Sequence, residues 1–176
     1  MSKLHSSKHS DDAGAVNERI FAPHPLLHSG HLMTVCPTLL PRWFQKFRRT
    51  GAQRIFQVEE QIGLLAHCHF HQDYQLRYTA LLLHGLEGSS DSAPMLGIAE
   101  KAFNNGMNVI RLNLRTCGGS MHLTPTLYNA GLACDVLAVC RELNEKDGLK
   151  DILLGGYSLG GNIVLNAAAR ANDLNL

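Results

Sequence analysis

Gly156-Tyr157-Ser158-Leu159-Gly160 sets one serine between two glycines, inside the longer run GGYSLGGN at 155–162. A serine hydroxyl becomes a nucleophile only when a base takes its proton, and the carbonyl oxygen it attacks needs fixed donors once it turns anionic. A strand-turn-helix with serine at its tip supplies the geometric half of that demand. It lifts the side chain off the sheet, and the crowding of the flanking chain asks for residues without side chains, where Gly156 and Gly160 stand. The N–H of Leu159 then lies at a helix start, where the helix dipole reinforces a donor aimed at a developing anion. The five residues alone are a weak signal, because a tight packing turn or a phosphate cradle uses the same types. A second Gly-rich turn, HGLEGSS at 84–90, lies one crossover upstream and strengthens the nucleophile reading.

The elements that must position these turns are legible as punctuated apolar runs. RIFQVEEQIGLLAHCHFH, from Arg54, predicts a hairpin of two strands around EEQIG. YTALLLHG (78–85) predicts a short buried strand. SAPMLGIAEKAFNNG (92–106) predicts a helix with Ser92 as N-cap, Pro94 in the first turn and Asn105-Gly106 at the close. MNVIRLNL predicts the next strand, LYNAGLACDVLAVCRELNEKDG (127–148) the next helix and DILLGG a last strand, with helix resuming at Ser158 and running towards Asn172. Alternation of this kind implies parallel strands joined by right-handed crossovers, an α/β sheet whose ligands sit beyond the carboxyl ends of the strands. HGLEGSS and GYSLGG both fall at such ends.

Ahead of these, FAPHPLLHSGHLMTVCPTLLPRWFQKFRR carries Pro23, Pro25, Pro37 and Pro41, which predicts an irregular arm or short helical turns. Residues 1–19 read as a disordered polar tail, and 20–176 as part of a single domain. The chain of 176 residues is 45% hydrophobic and 18% charged, the composition of an ordinary globular protein. A net charge of +1 disfavours nucleic acid and anionic membrane as partners, and no apolar run approaches a membrane span. Five cysteines without a CxxC pair, in a chain with no apolar leader, read as reduced thiols in the cytoplasm.

Other residues capable of chemistry have plainer readings beside the sharper ones. His67, His69 and His71 alternate along a predicted strand and would project from one face; they suit a solvated hairpin face better than Zn²⁺, because neighbours two apart are about 6.5 Å from each other. Cys117 has no local base and reads as a small buried residue at a tight turn. Arg115 and Asp135 are placed to pair and brace two loops. Glu87 reads as a surface residue or loop brace, since a carboxylate opposes an oxyanion. Tyr157 and Leu86 are candidates to shape an acyl pocket or simply to pack. No residue pattern calls for a cofactor or a metal.

HGLEGSS, RLNLRTCGGS, LTPTLYNAGLACD and GGYSLGGN, in that order, resemble the α/β-hydrolase superfamily. More narrowly they resemble the AB hydrolase 4 group, with its YheT-like bacterial proteins, EMB8-like proteins and α/β-hydrolase-domain lipases. HPLLHSGHLMTVCPTLLPR resembles that group's N-terminal segment. Thr116 and Met33 depart from it, standing where glycine or asparagine and glutamine are expected. The resemblance implies a mostly parallel, doubly wound sheet of strand order 1-2-4-3-5-6-7-8, with strands 1–5 present here. It implies a carboxylic-ester hydrolase of esterase or acylglycerol-lipase type acting on a small-molecule ester or lipid. Ser158 is then the nucleophile, the backbone N–H groups of Leu86 and Leu159 form the oxyanion hole, and His84, Gly85, Gly156 and Gly160 build the turns. In that superfamily the triad runs serine, acid, histidine along the chain, so His84 is the wrong histidine for the base. No histidine follows Ser158, and Asp173, the one carboxylate after it, lies about 20 Å along a helix from the turn. The expectation is therefore the N-terminal portion of a longer hydrolase, nearly inert alone, with strand 5 left as an open edge. Two further readings stay open: a catalytically dead interaction module of the same fold, and an acyltransferase to an alcohol acceptor.

Overall fold

Leu81 and Leu83 point to one face of their strand and Ala80 and Leu82 to the other, and all four are buried. A strand apolar on both faces needs a layer on each, and the computed structural model supplies both. It describes residues 22, 24–26, 29–39, 47 and 50–171. The chain divides into two compact units, Met1–Pro41 and Arg42–Leu176. The expected polar tail lies outside the described residues.

In the first unit, α1 spans Gly30–Leu39 and includes Pro37. Over Gly30–Leu39 one continuous helix of ten residues stands where the prolines predict an irregular arm or short helical turns, and most of the rest of that arm, with Pro23 and Pro41, lies outside the described residues. Pro37 falls in the last turn, where the N–H it lacks removes a single backbone bond and only two residues of helix follow.

In the second unit a hairpin of β1 (Ala52–Glu59) and β2 (Ile62–His69) leads into β3 (Thr79–Leu83), α2 (Ala93–Asn104), β4 (Asn108–Leu112), α3 (Ala133–Asp147), β5 (Ile152–Gly156) and α4 (Leu159–Ala171). The sheet order is β1-β2-β4-β3-β5, the first five places of the order implied by the resemblance. β4, β3 and β5 run parallel, whereas β1 pairs antiparallel with β2 and β2 with β4. The sheet is therefore mixed, with its parallel part confined to β4, β3 and β5, and the two Gly-rich turns follow β3 and β5. Among the described residues β5 pairs only with β3 and leaves its other edge open.

The larger core lies on one face, where Phe56, Leu64, Leu81, Leu83, Ile110 and Leu112 pack against Val136, Leu143 and Ile163 of α3 and α4. On the other face Met95, Leu96 and Ala99 of α2 cover Ala80, Leu82 and Val109. Each fully buried large side chain contributes about 1.5–3 kcal/mol. Ser92 precedes α2 as expected, although its hydroxyl accepts the Ser89 N–H (2.9 Å) and makes no cap bond into the helix. α3 begins at Ala133, later than its apolar pattern suggests. Upstream, Asn129 Oδ1 accepts the Gly131 N–H at 2.8 Å, a side-chain turn that competes with helix. No helix among the described residues is long and apolar enough to cross a membrane.

Candidate active site

β5 ends at Gly156, level with Leu83 of β3, and α4 starts at Leu159. Two residues must turn the chain between them, and Ser158 does so with φ at 49°, in the left-handed region that non-glycine residues rarely occupy. The turn is held by Tyr157 N–H to Leu83 O (3.1 Å), Gly160 N–H to Tyr157 O (2.9 Å) and Asn162 N–H to Ser158 O (3.0 Å). The flanking glycines are steric requirements. A Cβ on Gly160 would lie 2.7 Å from Leu83 O and also overlap His84 O, and one on Gly156 would overlap the Gly160 carbonyl. The result is a serine exposed at the tip of a tight strand-helix junction.

The HGLEGSS turn lies directly against this tip. A Cβ on Gly85 would stand 3.1 Å from Tyr157 O and 3.3 Å from Ser158 Cβ, a tight fit that a side chain there would have to push apart by a few tenths of an ångström, so the two turns are in close contact. His84 is buried beneath it. Its Nε2 accepts the Leu114 N–H at 3.1 Å, which leaves the proton of a neutral ring on Nδ1, facing Gly85 O at 2.7 Å. Burial lowers the His84 pKa, and the bond to Gly85 O offsets only part of that effect. His84 is thus a neutral brace with both nitrogens engaged and no bond to Ser158. Gly88 N–H also reaches Gly85 O, at 3.1 Å. With Gly85 O held inward, the planar trans peptide directs the Leu86 N–H the opposite way. Among the described residues the Leu86 N–H, the Leu159 N–H and the Ser158 hydroxyl make no hydrogen bond within the protein.

A buried polar framework fixes the loop after β4. Asn113 accepts the Ser90 N–H through Oδ1 (2.8 Å) and donates from Nδ2 to Ser90 Oγ (3.1 Å) and Leu65 O (3.1 Å). Gly118 abuts the Asn113 side chain so closely that a Cβ there would overlap it. Arg115 and Asp135 pair as expected, Nε to Oδ2 at 2.7 Å and Nη2 to Oδ1 at 2.5 Å. Arg115 also reaches Thr126 Oγ1 (2.8 Å) and Glu59 Oε1 (2.7 Å). The hydrogen bonds to Asp135 hold its guanidinium pKa above the ordinary value. Thr116, expected to be glycine or asparagine, sits at φ 65°, the conformation those residues favour. Cys117 is half-buried in this loop and burial pushes its thiol pKa up, away from reactivity.

The three histidines do not form a solvated face. His67 Nδ1 lies 3.0 Å from Ser90 Oγ and its Nε2 3.3 Å from Gln53 Nε2. His69 is buried, stacked on Phe47 with ring centroids 4.0 Å apart and bonded to Phe47 O at 3.0 Å. His71 lies beyond the end of β2 and stacks on Phe103 at 4.2 Å. Among the described residues the three rings do not bring their nitrogens within one ion's reach of one another.

Sequence reasoning gave no role to two side chains at the site, although both stand in motifs that carry the family resemblance, RLNLRTCGGS and LTPTLYNAGLACD. Asn113 follows β4 and ties that strand's loop to Ser90, and Tyr128 gives its hydroxyl oxygen to the Glu87 N–H at 3.1 Å. Asp173 lies outside the described residues.

The alpha/beta hydrolase fold model matches residues 79–174, more than half of the chain. The chain belongs to the alpha/beta hydrolase fold family. Among curated relatives of this alpha/beta hydrolase, it is similar to the "Putative esterase/lipase" of Haemophilus influenzae, 36% identical over 107 residues, covering 60% of this chain and 34% of that protein. It is also similar to the "Putative esterase YheT" of Escherichia coli, 30% identical over 155 residues, 88% of this chain and 45% of that protein. The chain therefore spans about a third to under a half of the length of these relatives. Among solved structures, the Pyrococcus furiosus esterase Pf2001 shares the fold with a TM-score of 0.62 at 18% identity, over 76% of this chain and 52% of that one.

Proposed function

We propose that this chain carries the nucleophile half of a serine-dependent carboxylic-ester hydrolase, with Ser158 as the attacking residue. The observation that carries the reading is the exposed serine at positive φ, pressed against the Gly85 turn with the Leu86 and Leu159 N–H groups unengaged beside it. Strain of this kind costs of order 1–3 kcal/mol, persists where the surrounding structure enforces it, and clusters at functional sites. The relatives named for esterase and lipase activity support the same reaction class.

In the proposed reaction the Ser158 hydroxyl loses its proton to a base as Oγ attacks the ester carbonyl carbon. The carbonyl oxygen becomes anionic between the two N–H donors. Collapse re-forms the carbonyl and breaks the bond to the alkoxy oxygen, which leaves as the alcohol with the proton returned from the base. Water then attacks the acyl-serine by the same route, releasing the carboxylic acid and the free serine. His84 is not that base, because its nitrogens are spent on Leu114 and Gly85. We assign the acid and base to chain beyond residues 1–176, and residues 20–176 to one hydrolase domain with it. Exposed Leu86 and Tyr157 flank the serine, which supports an apolar acyl group as substrate, and the reduced-thiol reading of the five cysteines supports a cytoplasmic setting.

The test is to express the reading frame extended past Leu176 and assay it on short and medium p-nitrophenyl esters beside Ser158→Ala and the 176-residue chain. Turnover by the extended protein, with both controls inactive, is the expected result. An extended protein no more active than its alanine variant overturns the hydrolase reading in favour of an interaction module. Ester product formed only with an added alcohol acceptor favours acyl transfer.

A further inference from the structure

Tyr128 lies in the loop between β4 and α3, with its ring packed against the larger core and its hydroxyl on the Glu87 N–H. Glu87 itself is exposed and sits at φ 55°, a conformation an unbraced glutamate avoids. The two peptides that flank Leu86 are therefore held from different directions. Gly85 O is fixed by His84 Nδ1 and the Gly88 N–H, and the Leu86–Glu87 peptide is fixed by Tyr128. The Leu86 side chain is 68% exposed and offers little anchorage of its own. Because each peptide is planar and trans, holding both leaves the Leu86 N–H one direction.

We propose that Tyr128 is a positioning residue for the reaction above: its hydroxyl clamps the 85–88 turn so that the Leu86 N–H stays aimed at the oxygen of an ester carbonyl attacked by Ser158. The inference rests on the Ser158 reading and adds to it a residue from a different loop. The clamp is rigid because Tyr128 is tied to the core and not to the turn it holds. A donor misaimed by a fraction of an ångström loses most where the charge is largest, in the transition state, and least for the bound ester.

The test uses the full-length protein as wild type, Tyr128→Phe, Ser158→Ala and Tyr78→Phe. Tyr78 is exposed just before β3, at the strand end away from the turn, and serves as the control hydroxyl. The readouts are kcat and KM on p-nitrophenyl butyrate, affinity for butaneboronic acid, Tm, and hydrogen exchange at the Glu87 amide. The boronic acid forms a tetrahedral adduct on serine that sets an oxygen where the oxyanion develops. Tyr128→Phe is expected to lower kcat and boronate affinity about tenfold, with KM within about twofold, Tm near wild type and Glu87 exchange about tenfold faster, a fraction of the effect of deleting an oxyanion donor. Tyr78→Phe leaves all of these unchanged. Wild-type kcat and boronate affinity in Tyr128→Phe, with Ser158→Ala inactive, overturn the role of Tyr128 and leave the serine reading intact. A kcat loss that disappears once rates are normalised to folded, burst-titrated sites also overturns it, because the ring then acts only as packing. Ester turnover by Ser158→Ala equal to wild type overturns both together.

Discussion

Left-handed backbone occurs at both ends of the three parallel strands, but among the described residues only the carboxyl end also puts it on residues with side chains. Before β4 and β5 it falls on Gly106 and Gly148, with φ at 85° and 71°. There it does what left-handed glycine ordinarily does, closing α2 and α3 so that the chain can re-enter the sheet. After β3, β4 and β5 it falls on Gly118 and Gly119 of the loop after β4, with φ at 62° and 84°, and also on Glu87, Thr116 and Ser158, with φ at 55°, 65° and 49°. An L-residue there costs about 1–2 kcal/mol. At one end of the sheet the fold uses the cheapest residue for the turn. At the other it places side chains where glycine would be cheaper and surrounds them with buried polar braces: His84 on Gly85, Asn113 on Ser90 and Asp135 on Arg115. The asymmetry supports the proposal that places the chemistry at the carboxyl end.

Ser158→Gly sharpens this comparison most. It is expected to lower ester turnover of the full-length protein by about 10⁴-fold or more while raising stability by roughly 1 kcal/mol. An active glycine variant, or one clearly less stable than wild type by urea titration, contradicts the idea of strain held for function. Removing a brace comes next. Asp135→Ala strands a buried guanidinium and is expected to cost about 3 kcal/mol, and an unchanged urea midpoint would show that Glu59 and Thr126 suffice for Arg115. At the other end, Gly148→Ala imposes the same backbone penalty on a cap remote from the serine. Its expected cost is about 1 kcal/mol with kcat unchanged, and a kcat that fell with stability would erase the contrast between the ends.

The smallest effect is a pH dependence shared by both ends. Burial lowers the pKa of His69, near the start of β4, and of His84, after β3, below the ordinary 6.5. Both are neutral when folded, and the unfolded chain takes up protons first as pH falls. Their contribution to stability is therefore complete above about 6.5 and lost as pH drops towards the folded values. Urea midpoints at about pH 7.5 and pH 5 should differ, lower in acid, and His69→Gln should narrow the gap. Equal midpoints for the wild type would show that these rings are not held neutral.

Element type and order were legible because they rest on local pattern. Apolar runs of strand length, Pro94 at a helix start and Gly106 and Gly148 at helix ends each act within a few residues of themselves. The short-turn reading failed over Gly30–Leu39 because proline is compatible with helix near an end, and Pro37 lies near one. The start of α3 was misplaced because Asn129 uses its side chain for a turn that the apolar period cannot reveal. The histidine triplet was misread for a different reason. Alternation identifies a strand face, but the aromatic partners Phe47 and Phe103 come from distant segments.

Sequence alone determined which residues could serve the proposed chemistry: a serine between glycines, a second glycine turn, and a strand-helix alternation that sends both to the same sheet end. Tertiary structure decided how those residues are held. Gly85 against Ser158, His84 closed off as a base and turned into a brace, and Tyr128 clamped onto Glu87 across 41 positions of sequence are all contacts between separate segments. Such contacts are set by packing of the sheet against its helices, and no local periodicity encodes which side chains will meet.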